Sequence, residues 1–143
     1  MLYLLYYLHE KQNLLAKYPL KQVFVHEAKS GKLVWRVSIG SPFHTPKMID
    51  QAMIVTTLDG QLMKISLADG SVLAGAKIPQ ETTVQAAANS SYIFQPGQHT
   101  NLYVFSAADL TCESVTFVGS DHTRGSINIP PHIVAGHMFL LVN

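Results

Sequence analysis

Seven histidines, His9, His26, His44, His99, His122, His132 and His137, are the side chains of this sequence with the widest chemical repertoire. A neutral imidazole ligates zinc, and near neutral pH it passes protons. None of the seven stands in an H-x-x-x-H pair, and none is set beside a cysteine at ligand spacing. No metal site is therefore expected. The stretch "SDHTRGS" (120–126) gathers Asp121, His122, Arg124 and Ser126, the residue types of hydrolysis and anion binding. A catalytic triad, however, is a convergence of side chains from separate elements, and neighbours on one loop point apart. The stretch is read as a polar connection, with Arg124 kept as a ligand contact. Glycines are isolated at turns, so no phosphate-binding loop is present. Asn89-Ser90-Ser91 fits the N-glycosylation pattern, which has meaning only in a eukaryotic secretory protein. The one cysteine, Cys112, excludes an internal disulfide and leaves the compartment open. No catalytic residue is expected.

The composition narrows the classes further. The chain has 143 residues, of which 48% are hydrophobic and 13% charged. That charged share is roughly half the usual value of about 25%. The net charge is +1, and the ten Lys and Arg are scattered without a basic stripe. Nucleic acid is not an expected partner. The amino-terminal "MLYLLYYL" is apolar over residues 1–8 only, short of the roughly 20 needed to span a bilayer. It lacks the positive start and small-residue cleavage site of a signal peptide, and it reads as a buried strand.

What must position these groups is a repeat. "VFVHEAKSGKLVWRVSIG" (23–40) aligns with "LMKISLADGSVLAGAKIP" (62–79), so that Gly31 falls on Gly70 at an offset of 39. "LYVFSAADLTCESVTFVG" (102–119) follows 40 further on, with Asp109 on Asp69 and Leu110 in the place of the glycine. Upstream halves match as well: "TPKMIDQAMIVTT" (45–57) with "PPHIVAGHMFLLVN" (130–143), and "QAAANSSYIFQ" (85–95) more loosely between them. A period near 40 built from short strands is the pattern of propeller blades.

Within each copy the apolar residues alternate as a half-buried strand requires, Met63, Ile65 and Leu67 against Lys64 and Ser66. Tyr103, Phe105 and Ala107 repeat the pattern, and Leu33, Trp35 and Val37 carry it on the next strand. "KSG" and "ADG" supply the reversal, with glycine free to take positive φ and Asp69 able to bond the turn backbone. Register puts His26 where Ile65 and Phe105 stand, and that predicts a partly buried, hydrogen-bonded imidazole. His44 and His132 fall near the Pro-led first strands, which line a propeller's channel, and are the candidate ligand contacts there. Trp35, Met63, Ile65, Leu67, Tyr103, Phe105, Met53, Ile54, Phe94 and Phe139 are the expected core between sheets.

The residues Ala28, Gly31, Lys32 and Trp35 spell A-x-x-G-K-x-x-W, and Leu62, Met63, Ile65, Asp69 and Gly70 spell a variant of L-Y-A-L-D-A-x-T-G. Over about 22–143 the chain resembles the PQQ-like (quinoprotein-type) β-propeller repeat. Phrases such as "HTNLYVFS" and "GSINIPP" are similar to those of large bacterial, planctomycete-like, non-enzymatic members. The resemblance implies that the repeat tryptophan docks on the adjacent blade, a role only Trp35 keeps. It also implies what a quinoprotein dehydrogenase needs: PQQ on a Ca²⁺ held by Glu, Asn and Asp, often beside a disulfide of adjacent cysteines. With one cysteine and dispersed acids, no cofactor is expected here.

The expected architecture is all-β, a partial β-propeller of about three stacked four-stranded antiparallel blades. Residues 1–21 form an apolar segment contributing a strand to an incomplete blade. A half blade (22–40), blades at 44–79 and 82–119, and a half blade at 130–143 follow, with Gly31, Gly70, Asp69 and Trp35 as the structural residues. Such an arc is expected to be a fragment of a larger repeat protein, a homodimer of two arcs, or an open stack covered by its first 20 residues. The expected function is a non-catalytic scaffold or binding module whose partner is a protein or the remaining blades, with no membrane span. The alternatives are a remnant of a PQQ-dependent oxidoreductase and a carbohydrate- or peptide-binding propeller. Similar envelope propellers serve in outer-membrane protein assembly, so the resemblance implies a periplasmic or envelope location.

Overall fold

Alternating apolar residues separated by glycine or Asx turns fold into a series of antiparallel hairpins. The computed structural model describes residues 3–6, 22–119 and 126–143. The strands are β1 (Tyr3–Tyr6), β2 (Gln22–Glu27), β3 (Leu33–Ser38), β4 (Lys47–Ile49), β5 (Ala52–Thr56), β6 (Gln61–Ser66) and β7 (Val72–Lys77). They continue as β8 (Ala87–Ala88), β9 (Tyr92–Pro96), β10 (Asn101–Ser106), β11 (Cys112–Phe117), β12 (His132–Val134) and β13 (His137–Phe139). One 3₁₀ turn, Gln98–Thr100, precedes β10.

These strands form four antiparallel sheets: β1-β2-β3, β4-β5-β6-β7, β8-β9-β10-β11 and the hairpin β12-β13. The protein is thus all-β, a partial β-propeller, with two full four-stranded blades, a three-stranded blade before them and a hairpin after. β1 pairs with β2, Leu4 opposite His26. The remainder of the apolar segment 1–21 lies outside the described residues.

The repeat is visible in detail as well as outline. In each of the three blades the last two strands shift register against each other at one position, between Val25 and His26, Lys64 and Ile65, and Val104 and Phe105. Such an irregularity bends the strand and increases the twist that lets neighbouring sheets nest. Each turn after it carries the same bond across it, Gly31 N–H to Glu27 O, Gly70 N–H to Ser66 O and Leu110 N–H to Ser106 O, at 2.8–2.9 Å.

The core lies between sheets rather than within one. Between the first and second blades Val23, Val25 and Trp35 meet Met53, Val55 and Ile65, with Met63 and Leu67 packed alongside. Between the second and third blades Ile54, Leu62 and Ile78 meet Ile93, Tyr103, Phe105 and Leu110. Each such side chain, removed from water, stabilises the stack by about 1.5–3 kcal/mol before entropy is counted. Two residues expected in the core depart from it. Phe139 is 62% exposed, because β13 belongs to a two-stranded hairpin with no further described strand beside it. Phe94 is half-buried and tilts against exposed Tyr92 at 6.2 Å between ring centroids.

Candidate functional site

The sites with the most specific geometry are the two junctions between blades. At the first junction, Trp35 on β3 crosses to the turn between β6 and β7. Its Nε1–H donates to the carbonyl of Leu67 at 2.8 Å. Its ring lies flat over Gly70, where a Cβ would come within 2.6 Å of Trp35 Cε3. Gly70 is needed twice over, for its φ of +75° and for the absence of a side chain under the indole. Asp69 beside it shapes the turn, its Oδ1 accepting from Ser71 N–H at 3.0 Å and Ser71 Oγ–H at 2.7 Å. Those bonds hold its carboxyl below the ordinary carboxylate range, as bonds from Thr111 do for Asp109. The structure therefore unites Trp35 with Gly70 and Asp69, while Gly31 caps the equivalent turn of the first blade.

At the second junction the same positions are filled differently. Ala74 stands where Trp35 would be, and Leu110 stands where Gly70 would be. Leu110 is buried in the cluster against which Ala74 packs, so the volume the indole fills on one side is supplied from the other. Leu110 does this at φ +58°, a conformation that costs a non-glycine residue roughly 1–2 kcal/mol. The polar half of the tryptophan is supplied by Lys64, whose Nζ donates to the carbonyls of Ala107 at 2.7 Å and Ala108 at 3.1 Å. Ala107 is the repeat equivalent of Leu67, so one carbonyl position receives an indole N–H at one junction and an ammonium at the next. Beside Lys64 a cleft of about 320 Å³ opens, lined also by Asp50, Gln51, Leu73, Ser90 and Ala108.

Between the second and third blades lies a polar network. Thr82 Oγ–H donates to Thr57 O at 2.8 Å. That hydroxyl must therefore accept from His44 Nε2–H, 2.8 Å away, which fixes the imidazole as the Nε2 tautomer. Burial pushes the His44 pKa below its ordinary 6.5, more than the Thr82 carbonyl bond raises it. Thr57 Oγ–H in turn donates to Asp59. Nearby, fully buried Gln95 is completely satisfied: Nε2 donates to Val84 O at 2.9 Å and Pro96 O at 2.8 Å, and Oε1 accepts from Thr56 at 2.9 Å. The polar atoms of this network bond to the blades themselves.

The other histidines do not converge. His132 is exposed at the start of β12, and no hydrogen bond among the described residues joins it to His44. His26 is half-buried with Nδ1 2.9 Å from Gly31 O, and His137 Nδ1 lies 3.0 Å from Ala135 O. Arg124, like His9 and His122, lies outside the described residues. Asn89 Oδ1 accepts from Ser91 N–H and Tyr92 N–H at 2.9 and 2.7 Å, a local Asx turn. Sequence reasoning missed Lys64, Leu110, Thr82 and Gln95. For the first two, a signal existed in the paired loss of Trp and Gly at one junction. For the others, an isolated Thr or Gln carries none.

The chain's fit to a quinone cofactor can be judged on its donors. Among the described residues no three of His, Cys, Asp and Glu gather as metal ligands, and Cys112 is exposed on the outer strand β11. The pair of adjacent cysteines that the resemblance implies beside PQQ has no counterpart in a sequence with one cysteine. No helix among the described residues is long and apolar enough to cross a membrane.

No protein-family model matches the chain, and no curated protein matches it. Solved structures do. The dihydro-heme d1 dehydrogenase NirN in complex with DHE superposes with TM-score 0.75 at 14% identity, covering 85% of this chain and 28% of that one. BamB from Moraxella catarrhalis gives 0.69 at 13%, covering 85% and 41%. The quinohemoprotein alcohol dehydrogenase ADHIIG from Pseudomonas putida HK5 gives 0.59 at 15%, covering 66% and 16%. This chain spans 41% or less of each of these three proteins. At such identities the likeness speaks for fold alone: the fold is that of a PQQ-like, BamB-like β-propeller, present here as an arc.

Proposed function

We propose that this chain is an arc of a larger PQQ-like propeller and serves as a non-catalytic scaffold that binds a protein partner. The observation that carries the reading is where its polar groups point. His44, Thr57, Thr82 and Gln95 spend their hydrogen bonds on the blades, and Trp35 and Lys64 spend theirs on holding one blade to the next. Exposed apolar residues on the outer strands, Val72, Leu73, Val115 and Phe117, offer surface for protein contact. On this reading the chain divides into a half blade (22–40), blades at 44–79 and 82–119 and a half blade at 130–143, with residues 1–21 completing the first. The resemblance of the repeat to bacterial, planctomycete-like and envelope propellers supports a bacterial protein working in the cell envelope. Likeness to BamB beside two dehydrogenases supports the fold equally for both classes, and the bonding of His44, Thr82 and Gln95 to the blades favours the non-catalytic reading.

Two measurements test the reading. Titration of the full chain with PQQ and Ca²⁺, followed by absorbance and by tryptophan emission, is expected to give no saturable change. Stoichiometric binding would overturn the non-catalytic assignment in favour of an oxidoreductase. An immunoblot of the source cells with antibody to this chain is expected to show a species well above the mass of 143 residues. A single band at that mass would remove the larger ring.

A further inference from the structure

The cleft at the junction of the second and third blades, about 320 Å³ in volume, carries one charge of each sign in its wall. Its size is at the small end of the range for organic ligands. An ammonium has three N–H donors. Ala107 O and Ala108 O accept two of those of Lys64, and Ala107 and Ala108 line the cleft with it. The ammonium is therefore held in the wall with one donor that has no described partner. Asp50, on the turn between β4 and β5, is exposed, and its carboxylate accepts from no described residue. The turn presents it at φ +44°, a conformation that Asp tolerates better than most side chains. Asp50 and Lys64 do not pair with each other, since both described partners of Lys64 are carbonyls. Ile49, Ala52 and Leu73 add apolar wall, and Leu73 is 56% exposed.

These groups select a ligand by elimination. An uncharged apolar molecule meets neither charge. A simple anion is drawn to Lys64 and repelled by Asp50, and a simple cation is drawn to Asp50 and repelled by Lys64. A molecule with both charges on an apolar body satisfies all three kinds of wall. We propose that the cleft binds a small zwitterion of this class, a free aliphatic amino acid or a dipeptide of such residues. Its carboxylate accepts from Lys64, its ammonium donates to Asp50, and its side chain lies on Ile49 and Leu73. The site is built from the two complete four-stranded blades, so it goes beyond the scaffold reading and stands without the larger ring.

The test titrates the ¹⁵N-labelled full chain with L-leucine and, separately, with L-leucyl-L-leucine, read by the amide shifts of Asp50, Gln51, Lys64, Leu73 and Ala108. At least one is expected to give saturable shifts at these amides, and the one that binds identifies the source. The N-acetyl derivative of the binder lacks the ammonium and should bind about fivefold more weakly, the most an exposed ion pair returns. Its carboxamide lacks the carboxylate and should bind at least about tenfold more weakly, because the Lys64 ammonium is partly buried. Asp50→Asn keeps a side chain that tolerates the turn and should bind the zwitterion and its N-acetyl derivative equally. Three results overturn the site. One is no saturable shift with either zwitterion, which is also what a cleft filled by another part of the chain gives. Another is equal binding of the zwitterion and both derivatives. The third is an undiminished preference for the zwitterion over its N-acetyl derivative in Asp50→Asn.

Discussion

Trp35 joins two blades through two physically different interactions, and substitution separates them. Trp35→Phe keeps a ring over Gly70 and loses the bond to Leu67 O, a loss of about 1 kcal/mol. Trp35→Ala also empties the junction and is expected to cost about 3–5 kcal/mol in urea unfolding. The second junction makes a sharper prediction. Ala74→Trp alone should destabilise by overpacking against Leu110, and Leu110→Gly alone by opening a cavity. Together they rebuild the pair seen at Trp35 and Gly70, so a double-mutant cycle should give a favourable coupling above about 1 kcal/mol. Additive effects would show that the two residues do not exchange volume across the junction. Lys64→Met keeps the aliphatic stem and strands two carbonyls, for an expected loss of about 1–3 kcal/mol. His44 sets a pH dependence whose sign follows from its lowered pKa. The unfolded state binds the proton more readily, so the contribution is fully present above the unfolded value of 6.5 and is lost as pH falls toward the folded one. His44→Gln should flatten stability across that window, and a slope unchanged by the substitution would assign the dependence elsewhere.

At the scale of elements, protection should follow coverage. Strands β5, β6, β9 and β10 have neighbours on both edges and supply most of the buried side chains. Their amides are expected to exchange slowest, and those of the hairpin β12-β13 fastest, in native-state hydrogen exchange. A protected hairpin would show that it is covered by more than the described residues. Much of this layout was legible in the sequence, because the period of alternation and the spacing of "KSG" and "ADG" are local properties of the chain. That Trp35 reaches an adjacent blade was implied by the resemblance of A-x-x-G-K-x-x-W to the propeller repeat, whereas its seat on Gly70 was not. Less legible were features that depend on what lies across the gap. Leu110 looked like a degraded copy of the glycine turn, while in space it replaces the missing indole. Thr82 and Gln95 have no spacing signal, since the groups they donate to are backbone carbonyls that any sequence possesses. Phe139 was misplaced because alternation gives the face of a strand and not whether another sheet covers that face.

At the scale of the whole molecule, stability is shared between neighbours in a row, as in other repeat architectures. Edges are then the weak points: β11 has all six residues exposed along an edge that pairs with no described strand, including Val115 and Phe117. Val115→Lys is expected to reduce concentration-dependent scattering without lowering the melting temperature by more than about 2 °C. An unchanged scattering profile would place the sticky surface on another strand. The single tryptophan of the chain is clamped at the first junction and absent from the second. Its emission is thus a private gauge of one joint. When the stack is loosened by denaturant, a red shift that precedes the loss of circular dichroism would mark the leading blade peeling away. Simultaneous changes would mean that the row gives way as one body.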